Sequence, residues 1–290
     1  MNQMSHNIPS LATATRSIGA ILVDSGKLSA ADAERILRQQ KENNLRFGDA
    51  ALLLGLLTEQ DIAVALAQQY NYPYLLKGEG SVAEEVTAAY EPFSPQVEAL
   101  RILRSQLMLR WFAGDAGQKT LAICSTGRGE GRSRLAANLA VIFAQLGERT
   151  LLIDADLRQP RQHTLFKVDD KLGLSSILAG RCGLEAIRTV PEFPNLALLP
   201  AGPVPPNPQE LLAQPAFLQL LETASARHDV VLIDTPAAAL YGDTQTIAAR
   251  ARAALILARR HRSSLAATRQ FAEHLGQLGV NLVGSVLTEF

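Results

Sequence analysis

The sequence predicts an α/β protein, a parallel sheet covered by helices on both faces, with a small helical domain ahead of it. Two observations carry this reading. From Lys119 onward, short apolar runs alternate with helical stretches: TLAIC at 120–124, RTLLID at 149–154, NLALLPAG at 195–202, DVVLID at 229–234, then ALILA and LVGSVL. Runs that are apolar at every position suit strands buried on both faces, which is the habit of parallel sheets. Before that, Ser17–Gln40 aligns with Arg46–Gln69 at a constant offset of 29. Gly19 matches Gly48, Gly26 matches Gly55, Leu28 matches Leu57, and Leu37 matches Leu66. Each repeat reads as a short helix, a glycine turn and a second helix, with Ser29 and Thr58 as N-caps.

The bulk numbers set limits. The 290 residues are 47% hydrophobic and 19% charged, with zero formal net charge, so no broad field favours nucleic acid or an anionic membrane. Two cysteines, Cys124 and Cys182, cannot build a disulfide framework and read as thiols of a reducing cytosol. The opening MNQMSHNIPSLATATRS lacks a basic-then-apolar signal pattern, and no apolar run approaches the roughly 20 residues of a membrane span. A soluble, cytoplasmic chain is expected, with any membrane association arriving through a partner.

The expected organisation is a mobile tail at 1–15, a helical repeat domain at 16–76, a linker at 77–95 and the α/β domain at 96–290. KGEGSVAEE and YEPFSP, rich in Gly, Pro and acidic residues, suggest the linker. Gln96–Phe112 reads as an amphipathic helix, and Arg132–Gly147 as the helix after the first strand.

Three motifs fall where ligands bind in such folds, beyond the carboxyl ends of the strands. Ser125–Ser133, STGRGEGRS, lies between a strand and a helix. Phosphate binding calls for converging backbone N–H groups, small residues for close approach and a helix N-terminus behind them. Gly127, Gly129 and Gly131 suit that need, and Ser133 is placed to ligate Mg²⁺. An ordinary glycine-rich turn would read the same way. Asp154 closes the second strand, with Asp156 and Arg158 following; they fit a metal or nucleophile site, or a cap and a surface ion pair. Asp234 closes VVLID in a Walker B position, though many such aspartates only cap the next helix. Asp243 is a weaker candidate.

Together with GPVPPNPQELL at 202–212, these motifs make residues 91–290 resemble bacterial tyrosine kinases of the polysaccharide chain-length-determinant type, with EpsG-type exopolysaccharide kinases as the nearest kind. The resemblance implies a P-loop NTPase domain of ParA/MinD-like fold, with ATP and Mg²⁺ as cofactors. It places the nucleotide at Thr126, Gly127, Arg128, Gly129, Glu130, Gly131, Arg132, Ser133 and Arg134. It implies catalytic roles for Asp154, Asp156 and Arg132, and a metal at Ser133, Asp154 and Asp234. Asp154 would also help activate the tyrosine hydroxyl. Glu98, Arg101 and Arg104 match the E-x-x-R-x-x-R pattern of self-association, although an intrahelical Glu–Arg pair is the simpler reading. The implied partner is a membrane chain-length-determinant (Wzz-like) protein that recruits the chain to the inner face of the cytoplasmic membrane.

Three departures stand out. Arg132 occupies the usual lysine position, and a planar guanidinium grips phosphate differently from an ammonium. The sequence ends at TEF290 without a tyrosine cluster; Tyr70, Tyr72, Tyr74, Tyr90 and Tyr241 lie elsewhere. Thr288 stands where an Asn is frequent. A nucleotide-binding regulator without transferase activity is therefore the alternative. A ParA/MinD-type positioning ATPase is disfavoured, because Gly127 occupies its signature-lysine position. The helical repeat resembles the N-terminal domain of type II secretion and pilus ATPases, which implies a docking module or cyclic di-GMP binding through Arg46, Gln40 and Gln69.

Overall fold

The computed structural model describes residues 16–70, 72–75, 78, 80–114 and 117–289. The tail expected at 1–15 lies outside them. The chain divides into two compact units, Met1–Pro73 and Tyr74–Phe290.

Among its described residues the first unit holds four helices: α1 (Ile18–Asp24), α2 (Ala30–Asn43), α3 (Phe47–Leu53) and α4 (Glu59–Gln69). Ser17, Ser29 and Thr58 each cap a helix by accepting a backbone N–H, and Thr58 with Asp61 completes a capping box. Ile21, Leu22, Leu28 and Ile36 meet Ala50, Ala51, Leu57 and Ala65 in one core, so the two repeats bury each other's apolar face.

The second unit is a seven-stranded sheet: β1 (Thr120–Cys124), β2 (Thr150–Asp154), β3 (Arg188–Thr189), β4 (Leu196–Leu199), β5 (Val230–Asp234), β6 (Ala253–Arg259) and β7 (Asn281–Thr288). The order is β3-β4-β2-β5-β1-β6-β7. All neighbours are parallel except the short edge strand β3, which the sequence did not reveal. The helices are α5 (Thr87–Tyr90), α6 (Pro95–Leu107), α7 (Arg132–Leu146), α8 (Gln162–Leu165), α9 (Leu174–Leu178), α10 (Pro208–Ala213), α11 (Pro215–Arg227), α12 (Asp243–Ala251) and α13 (Leu265–Gln277). A π-helical turn at Met108–Phe112 follows α6.

Strand side chains alternate between two cores. Leu121, Ile123, Leu152, Val230 and Leu232 join the α7-side core. Ala122, Cys124, Leu151, Ile153, Val231 and Ile233 join the opposite one. The same alternation puts Asp154 and Asp234 on the α7 face.

The stretch expected as a linker is corrected by the packing. Val82, Val86, Ala88, Ala89 and Tyr90 are buried in the α7-side core. Asn138, 2% exposed on α7, fastens this segment. Its Oδ1 accepts from Ala88 N–H (2.8 Å) and Thr87 Oγ1 (3.1 Å), and its Nδ2 donates to the Glu85 carbonyl (3.3 Å). Glycine, proline and acidic residues hid the few apolar residues that do the packing. Asn138→Ala would leave the Ala88 N–H buried and unpartnered. We expect a loss of about 1–3 kcal/mol in urea unfolding, where an unattached linker would give no change.

Candidate functional site

β1 ends at Cys124, and the loop Ser125–Gly131 runs into the first turn of α7. Gly129 (φ 68°) and Gly131 (φ 98°) hold left-handed conformations that glycine adopts without strain. The loop thereby meets the N-terminus of a 15-residue helix, whose first N–H groups lack intrahelical partners. Arg128 is exposed at the tip; Thr126 is buried. Glu130, 2% exposed, turns inward. Its carboxylate accepts the Gly127 N–H (2.8 Å) and the Ser263 hydroxyl. Arg259 Nη1 donates to the Gly129 carbonyl (3.0 Å). The loop is thus stitched to the β6–α13 connection, and the Glu130 side chain serves the loop's shape. Arg134 and Gly131 line one end of a 440 Å³ groove that also includes Thr288 and Glu289.

Arg132 is 8% exposed. Its Nε donates to the Thr235 carbonyl (2.8 Å), and its Nη1 to the Gly127 carbonyl (2.7 Å) and the Ser125 hydroxyl. A lysine in its place could not make this planar set of bonds. The guanidinium braces the loop against the end of β5 while keeping a positive charge beneath it.

Asp154 and Asp234 are paired in register on adjacent strands, and both are fully buried. Asp154 Oδ2 accepts from the Arg161 (3.0 Å) and Gln162 (2.9 Å) N–H groups, and Oδ1 from the Asp156 N–H (3.2 Å). Asp234 Oδ2 accepts from Gln162 Nε2 (2.8 Å). Burial, reinforced by the Asp234 charge, holds the Asp154 carboxyl well above the usual range. Burial also pushes Asp234 up to about 6, against the opposing pull of Gln162, Ser133 and the Arg132 charge. Asp156, 7% exposed, accepts the Arg158 (3.2 Å) and Gln159 (2.9 Å) N–H groups on Oδ1.

The donor set suits a hard divalent cation. Asp234 Oδ1 and Gln162 Oε1 are both buried acceptors without a hydrogen-bond partner. The Ser133 side chain is close enough to draw the Asp234 carboxyl down. Buried oxygens lacking a donor, beside a hydroxyl and two carboxylates, are what Mg²⁺ with its water shell satisfies. Among the described residues no group of three or more His, Cys, Asp or Glu side chains forms a metal cage; magnesium sites seldom need one.

The loop, Arg132, Ser133, Asp154, Asp156 and Asp234 therefore converge at the carboxyl ends of β1, β5 and β2, neighbours at the centre of the sheet. Glu98 and Arg101 pair along α6 at 2.9 Å. Arg104 reaches from the same helix toward the Ile142 carbonyl (3.4 Å). Arg46, Gln40 and Gln69 belong to the other unit, where Arg46 stands at the N-cap of α3 without a capping side-chain bond. Gln162 was missed by sequence reasoning. Its signal was a polar residue at the start of a short helix directly after the second acidic motif.

Comparison with known proteins shows the family. Residues 121–290 match the CobQ/CobB/MinD/ParA nucleotide binding domain. The tyrosine-protein kinase YwqD of Bacillus subtilis is 39% identical over 60% of this chain and 73% of its own. EpsB of Ralstonia solanacearum, named as a tyrosine-protein kinase, is 37% identical over 79% of this chain, which spans only 29% of EpsB. The crystal structure of the chimerical protein CapA2B2 superposes with a TM-score of 0.66 at 33% identity, covering 79% of this chain and 98% of that one. Among the described residues no helix is long and apolar enough to cross a membrane. With a nucleotide-binding sheet, acidic strand ends and this likeness to YwqD, the chain belongs to the family of bacterial tyrosine-protein kinases.

Proposed function

We propose that this chain transfers the γ-phosphoryl group of ATP to protein tyrosine, in the service of exopolysaccharide chain-length control. The observation that carries the reading is the buried Asp154–Asp234 pair, with two unpartnered acceptor oxygens, set beside a phosphate-type loop. Ser133 and Asp234 would hold Mg²⁺, with Asp154 supporting them. When bound, the ion supplies charge neutralisation for the phosphates. The loop and the α7 N-terminus orient the phosphate chain, and the Arg132 guanidinium offsets its charge. The bond from the γ-phosphorus to the β,γ-bridging oxygen breaks as one forms to the tyrosine oxygen. The hydroxyl proton goes to a carboxylate. Asp156 suits that task, because its Oδ2 takes no hydrogen bond among the described residues and the side chain keeps some exposure. Asp154 is fully buried and already accepts three N–H groups, which suits support more than proton transfer.

A membrane chain-length-determinant protein as partner, and self-association through Glu98, Arg101 and Arg104, are part of the same reading. Their support is the family and the spacing on one side of α6.

A second reading is a nucleotide-binding regulator that senses ATP without transferring phosphate. The three bonds by which the protein itself engages Arg132 favour it. A docking role for the helical unit, with cyclic di-GMP at Arg46, Gln40 and Gln69 as its cue, belongs to this second reading; the repeated sequence pattern supports it.

Incubation with labelled ATP and Mg²⁺, with and without the cytoplasmic segment of a chain-length partner, separates the two. The kinase reading expects label on tyrosine, reduced on the order of 100-fold or more in Asp154→Ala. Nucleotide binding without transfer under any condition would sink it. Arg132→Lys tests the brace. It removes charge-assisted bonds and should lower stability by about 2–3 kcal/mol in urea unfolding. Under the kinase reading the wild type transfers phosphate without this change; under the sensing reading only Arg132→Lys does.

A further inference from the structure

The turn that carries Asp156 is held at two points. Downstream, the Arg161 and Gln162 N–H groups close onto Asp154. In its middle the Arg158 side chain leaves the turn and reaches the element after β5. Arg158 Nε and Nη2 donate to the two oxygens of Asp243, at 2.7 and 3.1 Å. Asp243 is the first residue of α12 and is fully buried, whereas the Arg158 side chain is 26% exposed. The guanidinium carbon lies 3.8 Å from the centre of the Tyr241 ring, so the same group is stacked on an aromatic face while gripped edge-on by a carboxylate. The Asp243 bond is the largest influence holding Arg158 in its charged form.

The backbone N–H of Arg158 donates to Asp156 Oδ1, as does that of Gln159. A planar, two-bonded and stacked guanidinium fixes where its own backbone sits. That backbone in turn fixes one oxygen of Asp156 and leaves Oδ2 unengaged among the described residues. The pair also ties the turn after β2 to the connection after β5, across 85 residues of sequence.

We infer that Asp243 and Tyr241 are positioning residues for tyrosine phosphorylation: through Arg158 they present the Asp156 carboxylate to the acceptor hydroxyl. This rests on the kinase reading above. Among the described residues neither side chain makes a hydrogen bond, ion pair or ring contact to the phosphate loop, so their effect falls on transfer and not on nucleotide binding. The ring of Tyr241 acts as a platform, and its hydroxyl takes no part.

The test measures kcat for tyrosine transfer and the Kd for ATP, in the full chain, for Asp243→Asn, Arg158→Lys, Tyr241→Ala and Tyr241→Phe. Asp243→Asn and Arg158→Lys should each lower kcat on the order of 10- to 100-fold, as misplacing a reacting group does, with Kd within about twofold. Combining them should cost little more than the worse single change, since both break one link. Tyr241→Ala should lower kcat and Tyr241→Phe should leave it unchanged. If Asp243→Asn folds poorly, Arg158→Lys, altered at a part-exposed side chain, still gives the comparison. Unchanged kcat in both charge-pair variants would overturn the inference, and so would a matched fall in kcat and ATP affinity. A wild type that transfers normally beside unaffected variants leaves the kinase reading standing. A wild type that transfers nothing overturns both.

Discussion

Two carboxylates on neighbouring strands, in register and fully buried, set the terms for the rest of the site. Left alone, such a pair is costly: burial disfavours each charge and each disfavours the other. The surrounding groups all act on that cost. Backbone N–H groups of Asp156, Arg161 and Gln162 close on Asp154, and the Gln162 amide reaches Asp234. Ser133 and the Arg132 charge act on Asp234 from the start of α7. The compensation stops short of Asp234 Oδ1 and Gln162 Oε1. Under the proposed function a cation would complete it, making metal binding part of the site's own energetics.

The fold supplies the register that creates this situation. Two apolar cores, one on each face of the sheet, fix the alternation of β2 and β5. A slip of one residue would turn both aspartates to the opposite face, away from α7. The segment before α6 contributes too: Asn138 binds it to α7 from one side, and Arg161 pairs with Glu85 at 2.8 Å from the other. The turn after β2 is therefore supported by residues from three separated parts of the chain.

What could be read from sequence follows from range. The strands, the glycine loop and the aspartates at Asp154 and Asp234 carry local signals: apolar runs, small residues, and a charge where a run stops. The helical repeats were legible because the same caps recur at a fixed offset. The partners of these residues were not legible. Gln162 meets Asp234 across 72 positions, Arg158 meets Asp243 across 85, and Ser263 meets Glu130 across 133. No local pattern encodes such pairings. Residues 77–95 misled for a different reason: turn-forming composition outweighed the few valines and alanines that do the packing. Arg132 was visible as a departure, but its role as a brace needed the position of the Thr235 carbonyl.

The central claim is that a divalent cation takes the place of protons on the Asp154–Asp234 pair. Burial raises both carboxyls and so favours their protonated forms, and a cation seated on the pair would displace protons. Calorimetry of Mg²⁺ binding with a non-hydrolysable ATP analogue, in buffers of different ionisation enthalpy, counts those protons. The expected result is proton release near pH 6 that falls as the pH rises and is reduced in Asp234→Asn. Binding near pH 6 with no proton released, or with the same release in Asp234→Asn, would contradict it.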